Sequence, residues 1–154
     1  MISAESRYGS TLDNSRTEAD TLAMQSQQKC KTVQRTLVSI IDDDESVRES
    51  LPDLVRELGF PSRAFSSAEE FLSSDYADET RCLILDIMMP GMSGPELQEE
   101  LTRRRRHIPI IFITAQTSDA LRAQMLTRGA VECLIKPFSD TALLDALELA
   151  LRAN

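Results

Sequence analysis

Cys82-Leu83-Ile84-Leu85-Asp86-Ile87-Met88-Met89-Pro90-Gly91-Met92-Ser93-Gly94 holds an apolar run that stops on one carboxylate. Behind the carboxylate comes a loop with two glycines and a proline. Three other runs are built the same way. Leu37-Val38-Ser39-Ile40-Ile41 runs into Asp42, Asp43 and Asp44, Ile108-Pro109-Ile110-Ile111-Phe112-Ile113 stops at Thr114, and Val131-Glu132-Cys133-Leu134-Ile135 stops at Lys136 and Pro137. Short runs of Ile, Leu and Val with no polar alternation fit strands covered on both faces, as in a parallel sheet. Ligands of such sheets gather at the carboxyl ends of the strands. An acidic pair, a lone carboxylate, a hydroxyl and an ammonium are therefore expected on one edge.

The intervening segments read as helices. One is expected at about 46–58, with Asp44 as N-cap and Gly59 as stop, and Pro52 should kink it or disturb its first turns. After a short strand at about 62–65, a second helix starts near Ser66 or Ser67, where Ser67 and Glu70 fit a capping box. A third opens with Pro95 at its first position and Glu96 beside it, and runs to about Arg105. The fourth spans about 118–128 and the fifth about 140–152, the latter with an apolar face of Leu143, Leu144, Leu147 and Leu151. Strands are expected at about 36–41, 81–86, 108–113 and 131–135 besides the short one. Five strands alternating with five helices make a doubly wound (βα)5 sheet, an α/β fold.

The chain has 154 residues, 42% of them hydrophobic, which suits one domain with a sizeable core. Its net charge of −8 argues against non-specific nucleic-acid binding, which needs Lys and Arg to neutralise phosphates. Arg103, Arg104, Arg105 and Arg106 form the one basic run, read as a solvated helix end rather than a nucleic-acid contact. His107, the one histidine, has no helix to present it and is assigned no role. Cys82 and Cys133 fall in strands and read as small hydrophobes, Cys30 lies in a polar segment, and no Cys/His spacing suggests zinc. Residues 1–35 are rich in Ser, Thr, Gln and Asn and read as a disordered polar tail, although Met24 is an alternative start. No membrane span and no signal peptide are visible, so the expected location is cytoplasmic.

Asp42, Asp43 and Asp86 together suit magnesium, a hard cation that takes few protein carboxylates and keeps water and phosphate oxygens. Taken alone, Asp42, Asp43 and their neighbours could simply favour the helix N-terminus behind them. Asp86 could be a metal ligand only, or a nucleophile that accepts a phosphoryl group as an aspartyl phosphate. Lys136 and Thr114 would then steady the charge on the transferring group. Their bland readings are an exposed strand-end lysine and a β-branched strand residue.

The stretch 83–94, together with Ile41-Asp42-Asp43, Thr114-Ala115 and Lys136-Pro137-Phe138, resembles the receiver domain of two-component response regulators. The resemblance covers roughly 36–152, and the assigned domain is 36–154. Val47-Arg48-Glu49-Ser50-Leu51 resembles the subgroup of nitrogen-fixation regulators. It implies the flavodoxin-like receiver fold with strand order 2-1-3-4-5. It further implies Asp86 as phosphoacceptor, magnesium on Asp43, Asp42 and Asp86 with the Met88 main-chain carbonyl as a further ligand, and Lys136 on the phosphoryl group. Thr114 would swing toward that group after transfer, and Lys136–Pro137 would be cis. The implied donor is a histidine kinase or histidine phosphotransfer protein, and the implied output surface is the face of helix four, strand five and helix five. A homodimer stays open, and neither nucleic acid nor a membrane is an expected partner.

One position departs from the pattern. Receivers usually carry Tyr or Phe three residues before the lysine, where this chain has Cys133. A thiol cannot make the rotamer swing that the aromatic makes. Three functions remain in view. The first is a stand-alone receiver signalling through protein contacts. The second is the receiver part of a DNA-binding transcriptional regulator. The third is an Asp-nucleophile phosphatase, which would want a general acid two residues after Asp86, where Met88 cannot donate a proton.

Overall fold

The computed structural model describes residues 36–152. The 1–35 segment, with Met24 and Cys30, lies outside the described residues. Strands β1 (Leu37–Ile41), β2 (Ser62–Phe65), β3 (Thr80–Asp86), β4 (Ile110–Thr114) and β5 (Glu132–Ile135) alternate with helices α1 (Glu45–Glu57), α2 (Ala68–Leu72), α3 (Gly94–Arg103), α4 (Asp119–Thr127) and α5 (Asp140–Arg152). All neighbouring strands pair in parallel, in the order β2-β1-β3-β4-β5. This is the doubly wound flavodoxin-like fold expected from the sequence.

Alternation along the strands sorts their side chains into two cores. Leu83, Leu85 and Phe112 join Phe71 of α2, Leu97 and Leu101 of α3 and Met125 of α4 on one face. Cys82, Ile84, Ile111 and Ile113 join Leu51 and Val55 of α1 and Leu143, Ala146, Leu147 and Ala150 of α5 on the other. Burial on both faces is why these strands read as continuous apolar runs. Of the expected α5 face, Leu143 and Leu147 are fully buried while Leu144 and Leu151 are half-buried at its margin.

The helix starts follow the capping chemistry, with local differences. Asp44 caps α1 by accepting from Ser46 N–H at 3.0 Å. α1 runs unbroken through Pro52, whose carbonyl accepts from the buried Ser62 hydroxyl at 2.9 Å. Packing on the sheet therefore outweighs the lost amide hydrogen bond. At α2, Ser67 accepts from Glu70 N–H, but the Glu70 carboxylate turns to Ser66 N–H and hydroxyl at 2.7 and 2.8 Å, one residue earlier than a capping box would place it. Gly94, not Pro95, is the first residue of α3, and Ser93 and Glu96 form a complete capping box there.

Three helices end alike. After α1, Gly59 N–H bonds Arg56 C=O and Phe60 N–H bonds Val55 C=O; after α4, Gly129 and Ala130 repeat this on Leu126 and Met125. After α3, Arg105 and Arg106 make the same pair of bonds to Thr102 and Leu101. This is the Schellman arrangement, whose pivot residue is left-handed. The pivots Gly59 and Gly129 have φ of 105° and 102°, whereas Arg105 is held at φ 60°. An arginine there carries a Cβ penalty that glycine lacks. Arg105→Gly should therefore raise the stability of the domain by about 0.5 kcal/mol, after the extra entropy of glycine in the unfolded chain. A urea midpoint that falls instead would show that the Arg105 side chain stabilises the fold by some other contact.

Candidate functional site

The sheet register sets the site. Ile41 of β1 pairs with Leu85 of β3, and Leu85 with Phe112 of β4. The next residues, Asp42 and Asp86, therefore stand side by side as the two central strands end. Ile41 and Leu85 face α2, α3 and α4, so alternation turns both carboxylates toward the α1 and α5 side. Asp42 is fully buried, Asp86 is 7% exposed and Thr114 3% exposed, while Asp43 lies open to solvent. Asp42, Asp43 and Asp86 each offer an oxygen, all within 4.8 Å of one another. Three convergent carboxylates with one exposed member fit a hard divalent cation that keeps part of its water shell.

Lys136 completes the charge balance. Its Nζ donates to Asp42 Oδ2 at 2.8 Å and lies 3.9 Å from Asp86 Oδ2. The other Asp42 oxygen accepts from Asp44 N–H at 2.9 Å, and Arg48 Nη1 donates to the Asp42 carbonyl at 3.0 Å. Burial strips water from Lys136 and would lower its pKa, but the hydrogen bond to Asp42 and the charges of Asp86, Asp42 and Asp44 outweigh it and hold it higher. The Lys136–Pro137 peptide is cis. Thr114 is brought to the same edge but not to Asp86: its hydroxyl accepts from Gln116 N–H at 3.0 Å.

Asp86 is held against its ionised form. Burial, then the Asp42 carboxylate beside it, push its pKa up to about 7, against the opposing pull of Lys136 and of a hydrogen bond from Met88 N–H. Folded protein thus holds a proton on Asp86, between about pH 4 and about pH 7, that the unfolded chain has released. Stability contributed by this group is present at low pH and lost as pH rises through that window. In EDTA the urea midpoint should therefore fall between about pH 5.5 and 7, and magnesium should flatten the fall by neutralising the released charge. A midpoint level over that range in EDTA would show that Asp86 is ionised throughout.

Of the neighbours of the site, sequence patterns pointed to Met88 and Cys133 but not to Arg48 or Glu69. Met88 is 62% exposed, and its sulfur lies 3.1 Å from Gln116 Nε2. Arg48 and Glu69 also reach into the neighbourhood, Arg48 to the Asp42 carbonyl and Glu69 to Met92 N–H. Cys133 is buried in the α2–α4 core near Met125, and burial pushes its thiol pKa up, so it is held protonated and unreactive. On the surface over it, Arg122 of α4 bonds Glu132 of β5 at 2.6 Å. Three of the four arginines of the basic run are spent locally: Arg103 and Arg104 pair with Glu100, and Arg106 with Asp78. Among the described residues, no helix is long and apolar enough to cross a membrane.

Residues 38–148 match the response regulator receiver domain. This chain belongs to that family. The receiver is 45% identical over 116 residues to nodulation protein W of Bradyrhizobium diazoefficiens, covering 75% of this chain and 51% of that protein. It is 37% identical over 114 residues to the transcriptional regulatory protein FixJ of Azorhizobium caulinodans, covering 74% and 54%. Among solved structures, the response regulator StyR superposes with a TM-score of 0.70 at 46% identity, covering 77% of this chain and 60% of that one. FixJ-N superposes with a TM-score of 0.70 at 36% identity, covering 77% and 95%. The receiver spans about half the length of the curated relatives it matches. The nitrogen-fixation-like subgroup expected from the 47–51 stretch is consistent with these relatives.

Proposed function

We propose that this receiver accepts a phosphoryl group on Asp86 from a histidine kinase or a histidine phosphotransfer protein, with magnesium as cofactor. The observation that carries the reading is the cluster itself: three carboxylates within 4.8 Å of one another, with an ammonium 2.8 Å from one and 3.9 Å from the acceptor. Asp43, Asp42 and Asp86, with the Met88 main-chain carbonyl, would hold the metal. Magnesium, when bound, supplies the positive charge that lets an anionic phosphoryl group approach an anionic aspartate. In the transfer, an Asp86 oxygen bonds to phosphorus, the phosphorus–nitrogen bond of the donor breaks, and the donor imidazole keeps the electron pair. Lys136 is close enough to Asp86 to exchange its contact there for one to a phosphoryl oxygen. Thr114 would turn its hydroxyl donor toward the new phosphate, and that move would be read at the α4–β5–α5 face.

The output can take two routes. A stand-alone receiver would act on a separate protein through the α4–β5–α5 face, and the cytoplasm is the compartment that suits such a chain. Alternatively, this receiver is the regulatory part of a DNA-binding transcriptional regulator; the half-length match to relatives named as transcriptional regulators favours this second route. The length of the natural gene product separates them.

The central test is incubation with magnesium and acetyl phosphate, followed by intact mass. One phosphoryl increment that disappears in EDTA is expected. No increment, together with no magnesium-dependent beryllofluoride complex, would overturn the reading.

A further inference from the structure

The loop between β3 and α3 is gripped from outside by a carboxylate that the phosphoryl chemistry does not use. Its two ends are pinned, since Gly94 N–H donates to Ile87 C=O at 3.0 Å and the Ser93–Glu96 box fixes the exit into α3. Met89 is buried, but Met88, Pro90 and Gly91 face solvent. On this exposed arm, Met92 N–H donates to Glu69 Oε2 of α2 at 3.1 Å. The same oxygen lies 3.0 Å from where a Gly91 Cβ would stand, so the carboxylate is seated against the loop backbone. Its neighbour Glu70 is turned the other way, onto Ser66, leaving Glu69 as the side chain that ties α2 to the loop.

We infer that Glu69 is a positioning residue for the metal site: by holding Met92 N–H it restrains the loop that carries the Met88 main-chain carbonyl before the cation arrives. The inference rests on the magnesium reading above. A loop free on its solvent side would have to be ordered when the cation binds, and that cost would appear as weaker binding. The Gln116 contact to the Met88 sulfur is a poor substitute tether, because a thioether is a weak acceptor.

The test is magnesium titration by calorimetry on wild type, Glu69→Ala and Glu69→Gln, with thermal unfolding of each in EDTA. Glu69→Ala should weaken magnesium roughly three- to tenfold, the net scale of one ordinary hydrogen bond. Its unfolding midpoint in EDTA should stay close to wild type. Glu69→Gln keeps an oxygen acceptor and should remain within about twofold of wild type. Glu69→Ala binding magnesium as wild type does overturns the inference while the metal site stands. Glu69→Gln weakened as much as Glu69→Ala also overturns it, because charge and not the tether would then be at work. Wild type that takes no magnesium overturns the metal-site reading, and the inference with it.

Discussion

Asp86→Asn should abolish the magnesium-dependent phosphoryl adduct and, at the same time, make the metal-free protein more stable near pH 7.5. The two effects have one cause. Asp86 is nearly buried, shares its surroundings with the Asp42 carboxylate, and has its pKa pushed up to about 7. Ionising it there works against both desolvation and like-charge repulsion. The amide has the same shape and no charge, so the gain should be about 1–2 kcal/mol, less than the shift taken at face value because the site opens to solvent. Lys136 keeps its 2.8 Å partner Asp42, so no buried cation is orphaned. Magnesium loses one of three carboxylates and should bind at least tenfold more weakly. Urea titration, calorimetry and intact mass read the three effects separately. An adduct that persists in Asp86→Asn would move the acceptor to another carboxylate of the cluster. A variant less stable than wild type in EDTA at pH 7.5 would contradict the electrostatic account.

Gly94→Ala should be the most damaging single methyl in the described domain. A Cβ at this position would stand 2.5 Å from the Asp86 carbonyl oxygen, 3.0 Å from the Phe112 ring and 3.1 Å from Ile87 Cα. Two of these neighbours are main chain and the third is a fully buried ring, so none can step aside cheaply. The expected loss is about 3 kcal/mol or more. Because the collision is with Asp86 and Ile87 themselves, magnesium affinity should fall too. Gly59→Ala supplies the contrast: it meets nothing within 4 Å but sits at φ 105°. It should cost about 1 kcal/mol of stability through backbone strain and leave magnesium binding untouched. If Gly94→Ala proves as mild as Gly59→Ala, helix α3 can shift away from β3 without disturbing the site.

Much of this was legible in the residues because a sheet covered on both faces leaves uninterrupted apolar runs, and the polar residue that ends each run marks the edge. The four strand ends and the five-fold alternation followed from that alone. What escaped were choices among near-equal local partners. Pro52 looked disruptive, yet the packing of Leu51 and Val55 carries α1 through it. Ser67 and Glu70 had the spacing of a capping box, but Ser66 offered Glu70 both an amide and a hydroxyl. β4 begins at Ile110, because the chain through Ile108 and Pro109 only leads into the ladder, with Pro109 C=O accepting from Leu83 N–H. The 2.8 Å contact from Lys136 to the buried Asp42 was likewise not foreseen, since the sequence placed both at one edge without saying which carboxylate the ammonium would choose. Glu69 was invisible because adjacent glutamates after a helix cap look alike until their rotamers are seen.

The ion pair between Lys136 and Asp42 joins residues 94 positions apart. Every strand of the sheet lies between or beside those two residues in the chain, so the contact closes one of the longest loops in the domain and belongs late in its assembly. On a ribosome, the acidic edge formed by β1 and β3 emerges well before the lysine that balances it, and the sheet gains that counter-charge only after β5 has been made. The order of synthesis thus leaves the acidic edge without its lysine until the sheet is complete.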